Sequence, residues 1–245
     1  GKGHQAMACI TDPRGAAQAR VGSAQVDAGL RQYMLSVYNY MGLGLAITGL
    51  VAVFVASTPA LYEPLLLSPL RWVVMLAPIG FVFFLAARIN SMSVSAAQIT
   101  FWIYAAVMGL SLASIFLYFT HESIARVFFI TAGTFGAMSL YGYTTQRDLS
   151  QFGSFLMMGL IGVIIASIVN IFLGSSALQF AISVIGVLVF VGLTAYDTQR
   201  IKESYYELAG SDTLAKGAIM GALTLYLDFI NLFVMLLQLF GQNRD

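Results

Sequence analysis

The sequence predicts an all-α integral membrane protein with seven transmembrane helices, and three observations carry that prediction. Apolar residues make up 59% of the chain and charged residues only 9%, far below the quarter typical of soluble domains. Mean hydropathy is +0.83. The apolar residues fall in runs long enough to cross a hydrocarbon core of about 30 Å, parted by short polar turns. The net charge of +1, with no basic run, points to no nucleic-acid partner. The single cysteine, Cys9, permits no intrachain disulfide and no cysteine metal site.

Residues 1–31 read as a polar N-terminal tail, whose opening GKGHQAM has the look of a cloning remnant, and 32–245 as one seven-helix membrane domain. No cleavable signal peptide is expected in the tail. From Gln32 to Tyr62 there is no charge, so the first span fits within Tyr33–Ala56, ending before Pro59. The second, Trp72–Ala87, contains Pro78 and is short for a crossing of ~20 residues, which sets Arg88 at the membrane boundary or just inside it. Asn90, Ser91 and Ser93 mark a turn. The third span is Val94–Phe119, closed by His121 and Glu122, and the fourth is Ser123–Tyr143. After the polar turn Arg147–Asp148, the uncharged run Leu149–Tyr196 is too long for one crossing. Gly174-Ser175-Ser176 breaks it into a fifth helix, Gln151–Leu173, and a sixth, Ala177–Gln199. A polar loop, Arg200–Lys216, leads to the seventh, Gly217–Phe240.

Seven spans put the termini on opposite sides. With the N-terminus cytoplasmic, the inner segments carry Lys2, Arg14, Arg20, Arg31, Arg88, Arg147, Arg200, Lys202 and Lys216, and the outer ones Arg71, Arg126 and Arg244. That asymmetry predicts the N-inside orientation. The loops are too short for an extramembrane ligand-binding module, so function is expected between the helices.

Few ionisable residues are candidates for the membrane interior: Arg88, Asp197 and Asp228. Asp228 is the central one. At 100° per residue, Gly217, Gly221, Thr224, Asp228, Asn231, Met235 and Gln238 share one stripe of the last helix, with Leu and Phe filling the rest. A carboxylate at mid-span costs about 2.5–3.5 kcal/mol on insertion scales, and the surrounding apolar residues offset it. Asp197, in GLTAYDTQRIKE, lies at the inner end of the sixth helix, one loop before. Acids on two consecutive antiparallel helices can meet. The plain alternatives are an interhelical hydrogen-bonding role for Asp228, a helix-end pair of Asp197 with Arg200, and a headgroup-anchoring Arg88. His121 reads as a solvated loop residue. No phosphate loop and no nucleophile–histidine–acid set is present, and the chain is not expected to be an enzyme.

AYDTQRIKE followed by LYLDFINLF resembles the Bax inhibitor-1 (transmembrane Bax inhibitor motif) family in its bacterial branch, a likeness that covers the whole membrane region. The resemblance implies a central C-terminal helix surrounded by the other six. It implies a pH-sensitive calcium leak for bacterial relatives, and calcium homeostasis and suppression of cell death for eukaryotic ones. It pairs Asp197 with Asp228 and makes Arg88, in FLAARINS, a latch on Asp197. Some relatives carry an acid inside the second helix; WVVMLAPIGFVFFLAA has none.

Three function classes follow. The first is a cation leak channel. Two close carboxylates share a proton, which makes such a pair a pH sensor, and once deprotonated they offer hard oxygens suited to Ca²⁺. Thr224 and Asn231, one turn either side of Asp228, are placed to add neutral oxygens. Calcium, as bound or transported ion, is what the resemblance supplies; no cofactor is expected. The second is an intramembrane aspartyl protease, which also uses one Asp on each of two spans; YLDF lacks the Gly-x-Gly-Asp context and no Pro-Ala-Leu element is present. The third is a regulator that binds another membrane protein, such as a membrane-anchored protease, through the N-terminal tail. The expected location is the bacterial inner membrane.

Overall fold

The structure, a computed structural model, describes residues 13–244. Its elements are α1 (Pro13–Ala56), α2 (Pro59–Leu66), α3 (Arg71–Arg88), α4 (Val94–Leu112), α5 (Ile115–Tyr118), α6 (His121–Thr144), α7 (Gly153–Leu173), α8 (Ser176–Leu208) and α9 (Leu214–Phe240). Seven spans are long and apolar enough to cross a membrane, and α5 completes the one begun by α4. The last is the centre of the bundle. In its most apolar window 67% of residues are buried, against 11% for the span that contains α7. α9 packs on α8, α1, α6 and α4, while α3 lies outside on α4 and α7 outside on α8.

Local chemistry sets the ends. Ser93, Thr120 and Ser175 each accept a backbone N–H of the first turn of α4, α6 and α8 through their hydroxyls. Gly174 adopts φ 61°, the left-handed conformation that ends α7, where a side chain would be strained. Asp148 accepts from the Ser150 amide and opens a 3₁₀ turn, Leu149–Phe152.

Three boundaries differ from the sequence reading. α1 begins at Pro13, inside the segment read as a polar tail, because PRGAAQAR is rich in the helix formers Ala, Gln and Arg. The segment before Arg71 holds α2. Most consequentially, α8 runs on to Leu208 through the stretch read as a loop, so only a short turn joins it to α9. Its charged residues are solvated helix faces rather than a break.

The core around α9 is aromatic and lightly polar. Tyr104 and Tyr226 meet edge to face at 5.8 Å, and Phe101 joins them at 5.9 Å from Tyr226. Buried Thr48 donates to the Ala105 carbonyl at 2.8 Å and bonds the Tyr226 hydroxyl, tying α1 and α4 to α9. At the far end of α9 the chain turns back across the α5–α6 junction. Thr120 N–H donates to the Gln242 carbonyl and Arg244 N–H to that of Tyr118, each at 2.8 Å.

Candidate functional site

Because α8 continues past Gln199, Asp197 is an interior helix residue and not a helix-end acid. It faces α9 near that helix's midpoint, and the carboxyls of Asp197 and Asp228 lie within hydrogen-bonding reach of each other. Asp228 is 5% exposed. A bond between two carboxyls needs a proton on one of them. Without it, Asp228 keeps a buried oxygen, Oδ2, with no hydrogen-bond partner among the described residues, a costly state in a low dielectric.

The two acids differ in access. Asp197 is only part-buried and borders a cavity of about 400 Å³ between α8 and α9, walled also by Arg200, Ser204 and Thr224. Gly217 and Gly221 leave this space open, as a Cβ would stand 2.6 Å from Leu208 Cδ1 and 3.1 Å from Ile201 Cγ2 respectively. Beyond Asp228, toward the far end of α9, the space is apolar: Phe128 meets Phe229 at 5.5 Å and Phe233 at 6.1 Å. The pair therefore stands between a vestibule with a few polar wall residues and an aromatic cluster that itself lines an apolar cavity of about 290 Å³.

The supporting residues divide. Thr224 faces the vestibule, its hydroxyl donating to the Met220 carbonyl at 3.0 Å, so its oxygen keeps acceptor capacity. Asn231 instead turns its amide back onto the Leu227 carbonyl at 2.8 Å. Arg88 is not brought to Asp197. It is the exposed last residue of α3, a helix that packs on α4 away from α8. The cation whose charge acts on Asp197 is Arg200, held by the Tyr196 hydroxyl at 3.0 Å with its guanidinium 5.6 Å from that ring. No group of three or more His, Cys, Asp or Glu side chains occurs among the described residues, so the pair supplies two carboxyls to a cation and no third.

Sequence reasoning missed the frame around the pair. On α8, Thr198 donates to the Thr194 carbonyl at 2.7 Å and receives the Ser139 hydroxyl of α6 at 2.8 Å; Tyr38 of α1 in turn bonds Ser139. Gln199 accepts from Leu149 N–H and donates to the Arg147 carbonyl, both at 2.8 Å, clamping the α6–α7 turn to α8. Lys216 reaches the carbonyls of Asn90 and Met92 at 3.1 and 3.2 Å, fixing the start of α9 to the α3–α4 turn. The one signal available was the Thr194/Thr198 spacing, which puts both hydroxyls on one helix face.

Comparison with known proteins decides the family. Residues 30–245 match the family described as inhibitor of apoptosis-promoting Bax1. This chain belongs to the Bax inhibitor-1 family. It is 51% identical over 220 residues to the uncharacterized protein RP147 of Rickettsia prowazekii, covering 89% of this chain and 93% of that protein. It is 50% identical over 223 residues to the inner membrane protein YbhL of Escherichia coli, covering 90% and 95%. An uncharacterized membrane protein of Streptococcus pyogenes is 36% identical over 232 residues, covering 89% and 96%. The family membership spans both site motifs, so Asp197 and Asp228 lie inside the matched region.

Proposed function

We propose that this Bax inhibitor-1 family protein is a pH-sensitive leak pathway for cations, calcium among them, gated by the Asp197–Asp228 pair. The observation that carries this reading is the asymmetric placement of the pair, one carboxyl on a cavity shared with Arg200, Ser204 and Thr224 and the other buried in the bundle. With a proton shared between them, the acids bind each other and present no net divalent site. When the proton leaves, two like charges in contact repel and the oxygens become ligands for a hard cation. Thr224 adds a neutral oxygen on the vestibule side. The apolar cavity lined by Phe128, Phe229 and Phe233 is what a cation would still have to cross beyond the pair.

The proposed location is the bacterial inner membrane, in keeping with the printed name of YbhL, with the N-terminus and the α8–α9 turn cytoplasmic. Protons then reach the pair from the cytoplasm. A latch between Arg88 and Asp197 belongs to another conformation, in which the end of α3 approaches α8; here Arg200 holds the neighbouring place.

One observation favours a regulatory role in addition: α1 starts at Pro13, well before its membrane span, which begins at Asp27. That helical arm is a surface on which another membrane protein, such as a membrane-anchored protease, can dock. The deciding experiment for the leak is calcium flux through purified protein in liposomes from pH 5 to 9. Wild type shows pH-dependent flux, Asp228→Asn lowers it, and Asp197→Asn flattens the pH profile. Flux with an unchanged profile in both variants would make the acids structural.

A further inference from the structure

A crevice remote from the acid pair has a wall chemistry of its own. It lies between α1 and α6, with a volume of about 540 Å³. Both helices pack on α9, but they are not in extended contact with each other. The gap between them opens sideways, where Leu35 is 52% and Leu140 62% exposed. Its walls are apolar except along one line. Arg31 sits at the end nearest the α8–α9 turn, and Tyr38 and Ser139 form the floor at the other. Arg31 is exposed and has no acidic partner among the described residues. Beside the same mouth, Lys202 of α8 donates to the Tyr143 carbonyl at 2.9 Å and lies 5.2 Å from that ring, and Tyr143 is itself a wall residue.

We infer that this crevice is a binding site for one anionic phospholipid, its phosphate between Arg31 and Lys202 and the upper part of an acyl chain along Leu35, Gly136 and Leu140. The charge argument commits the occupant. Arg31 is the one charged residue in the lining of an otherwise largely apolar slot that opens sideways, and Lys202 stands beside its mouth on Tyr143, the arrangement by which basic pockets between spanning helices hold anionic headgroups. The axial reach fits as well: from Arg31 to Tyr38 is about 10 Å of helix at 1.5 Å per residue, enough for a headgroup, a glycerol and the first methylenes. The floor hydroxyl of Tyr38 is spent on Ser139, and Ser139 on Thr198, so the deep end offers methylenes no unsatisfied donor. The space at Gly136 is open: a Cβ there would meet nothing within 4 Å. The site is independent of the leak reading and stands if that fails.

Native mass spectrometry of the delipidated protein, titrated with phosphatidylglycerol and separately with phosphatidylcholine, tests it. Wild type retains one phosphatidylglycerol in preference to phosphatidylcholine. Arg31→Gln lowers phosphatidylglycerol affinity about fivefold, as expected for one cation at a headgroup, and leaves phosphatidylcholine unchanged. Gly136→Phe fills the slot and removes the preferred lipid without lowering the unfolding temperature. Retained preference in Arg31→Gln, or undiminished phosphatidylglycerol binding in a folded Gly136→Phe, would overturn the site. If Gly136→Phe does not fold, Arg31→Gln decides alone, since it alters only an exposed side chain.

Discussion

Two glycines on the same helix make opposite predictions about the frame that holds Asp197. Gly142 of α6 crosses α8 so closely that a methyl group would press on the Ala195 carbonyl oxygen and stand 2.9 Å from both its carbonyl carbon and its Cα. Ordinary contact begins at 3.4 Å, and every atom involved is backbone, which cannot rotate aside. In Gly142→Ala the two helices must therefore part by about an ångström, at an overpacking cost of about 1–3 kcal/mol. The Ser139–Thr198 hydrogen bond, now 2.8 Å, is stretched past bonding distance by the same movement, adding about 0.5–1.5 kcal/mol. The expected loss is about 1.5–4.5 kcal/mol. Gly136→Ala, two turns earlier, meets open space, and gains up to about 1 kcal/mol from helix propensity. The assay is reversible unfolding of purified protein in mixed micelles, with both variants measured side by side. Ala195 is two residues from Asp197, so Gly142→Ala should also change the pH profile of flux. Equal stability of the two variants would refute the claim that α6–α8 contact is set by this crossing.

Other expectations are narrower. Thr48→Val removes the bond to Ala105 and strands the buried Tyr226 hydroxyl, costing about 1–3 kcal/mol; adding Tyr226→Phe recovers part of the loss in a double-mutant unfolding cycle. Arg200→Gln removes the guanidinium that lines the same cavity as Asp197 and changes calcium flux more than Arg88→Ala does; a larger effect of Arg88→Ala would make the Arg88 latch the dominant contact. Asp148 lies outside the spans, and the Ser150 hydroxyl and amide hold its carboxyl below the usual carboxylate range. A depressed value means the cap is complete above about pH 4 and lost as pH falls through the lowered one, so Ser150 amide exchange accelerates only on that acid side and loses the step in Asp148→Asn.

The spans were legible because bilayer thickness fixes their length and charges punctuate them, and Gly174-Ser175 announced the α7–α8 break through its conformational demand. The acid pair was legible for a related reason: a mid-span carboxylate is too costly to stand without company. What failed was the reading of charge as interruption. Arg200, Lys202 and Glu203 sit on a helix that simply leaves the apolar layer, and Arg14 and Arg20 do the same on α1. Hydropathy reports where the membrane ends and says nothing about where hydrogen bonding ends. Arg88 was placed correctly at the end of α3, but which helix it faces is set by the packing of α3 on α4, and no single helix's periodicity encodes its neighbour. The hydroxyl chain Tyr38–Ser139–Thr198 stayed hidden for the same reason, because its three members come from three helices.

That the innermost helix follows six other spans in the chain has a consequence for biogenesis. Chains are made N-terminus first, so six spans are already in the bilayer when α9 emerges. Until then the surfaces of α1, α4, α6 and α8 that will face it, including the Thr48 hydroxyl and the Tyr104 ring, have lipid or each other for company. Asp228 then enters with Asp197 already waiting on the preceding span, which eases an insertion that a lone carboxylate would resist. Lesions anywhere in α9 should therefore surface first as nascent proteins removed by membrane quality control, before any effect on transport can be measured.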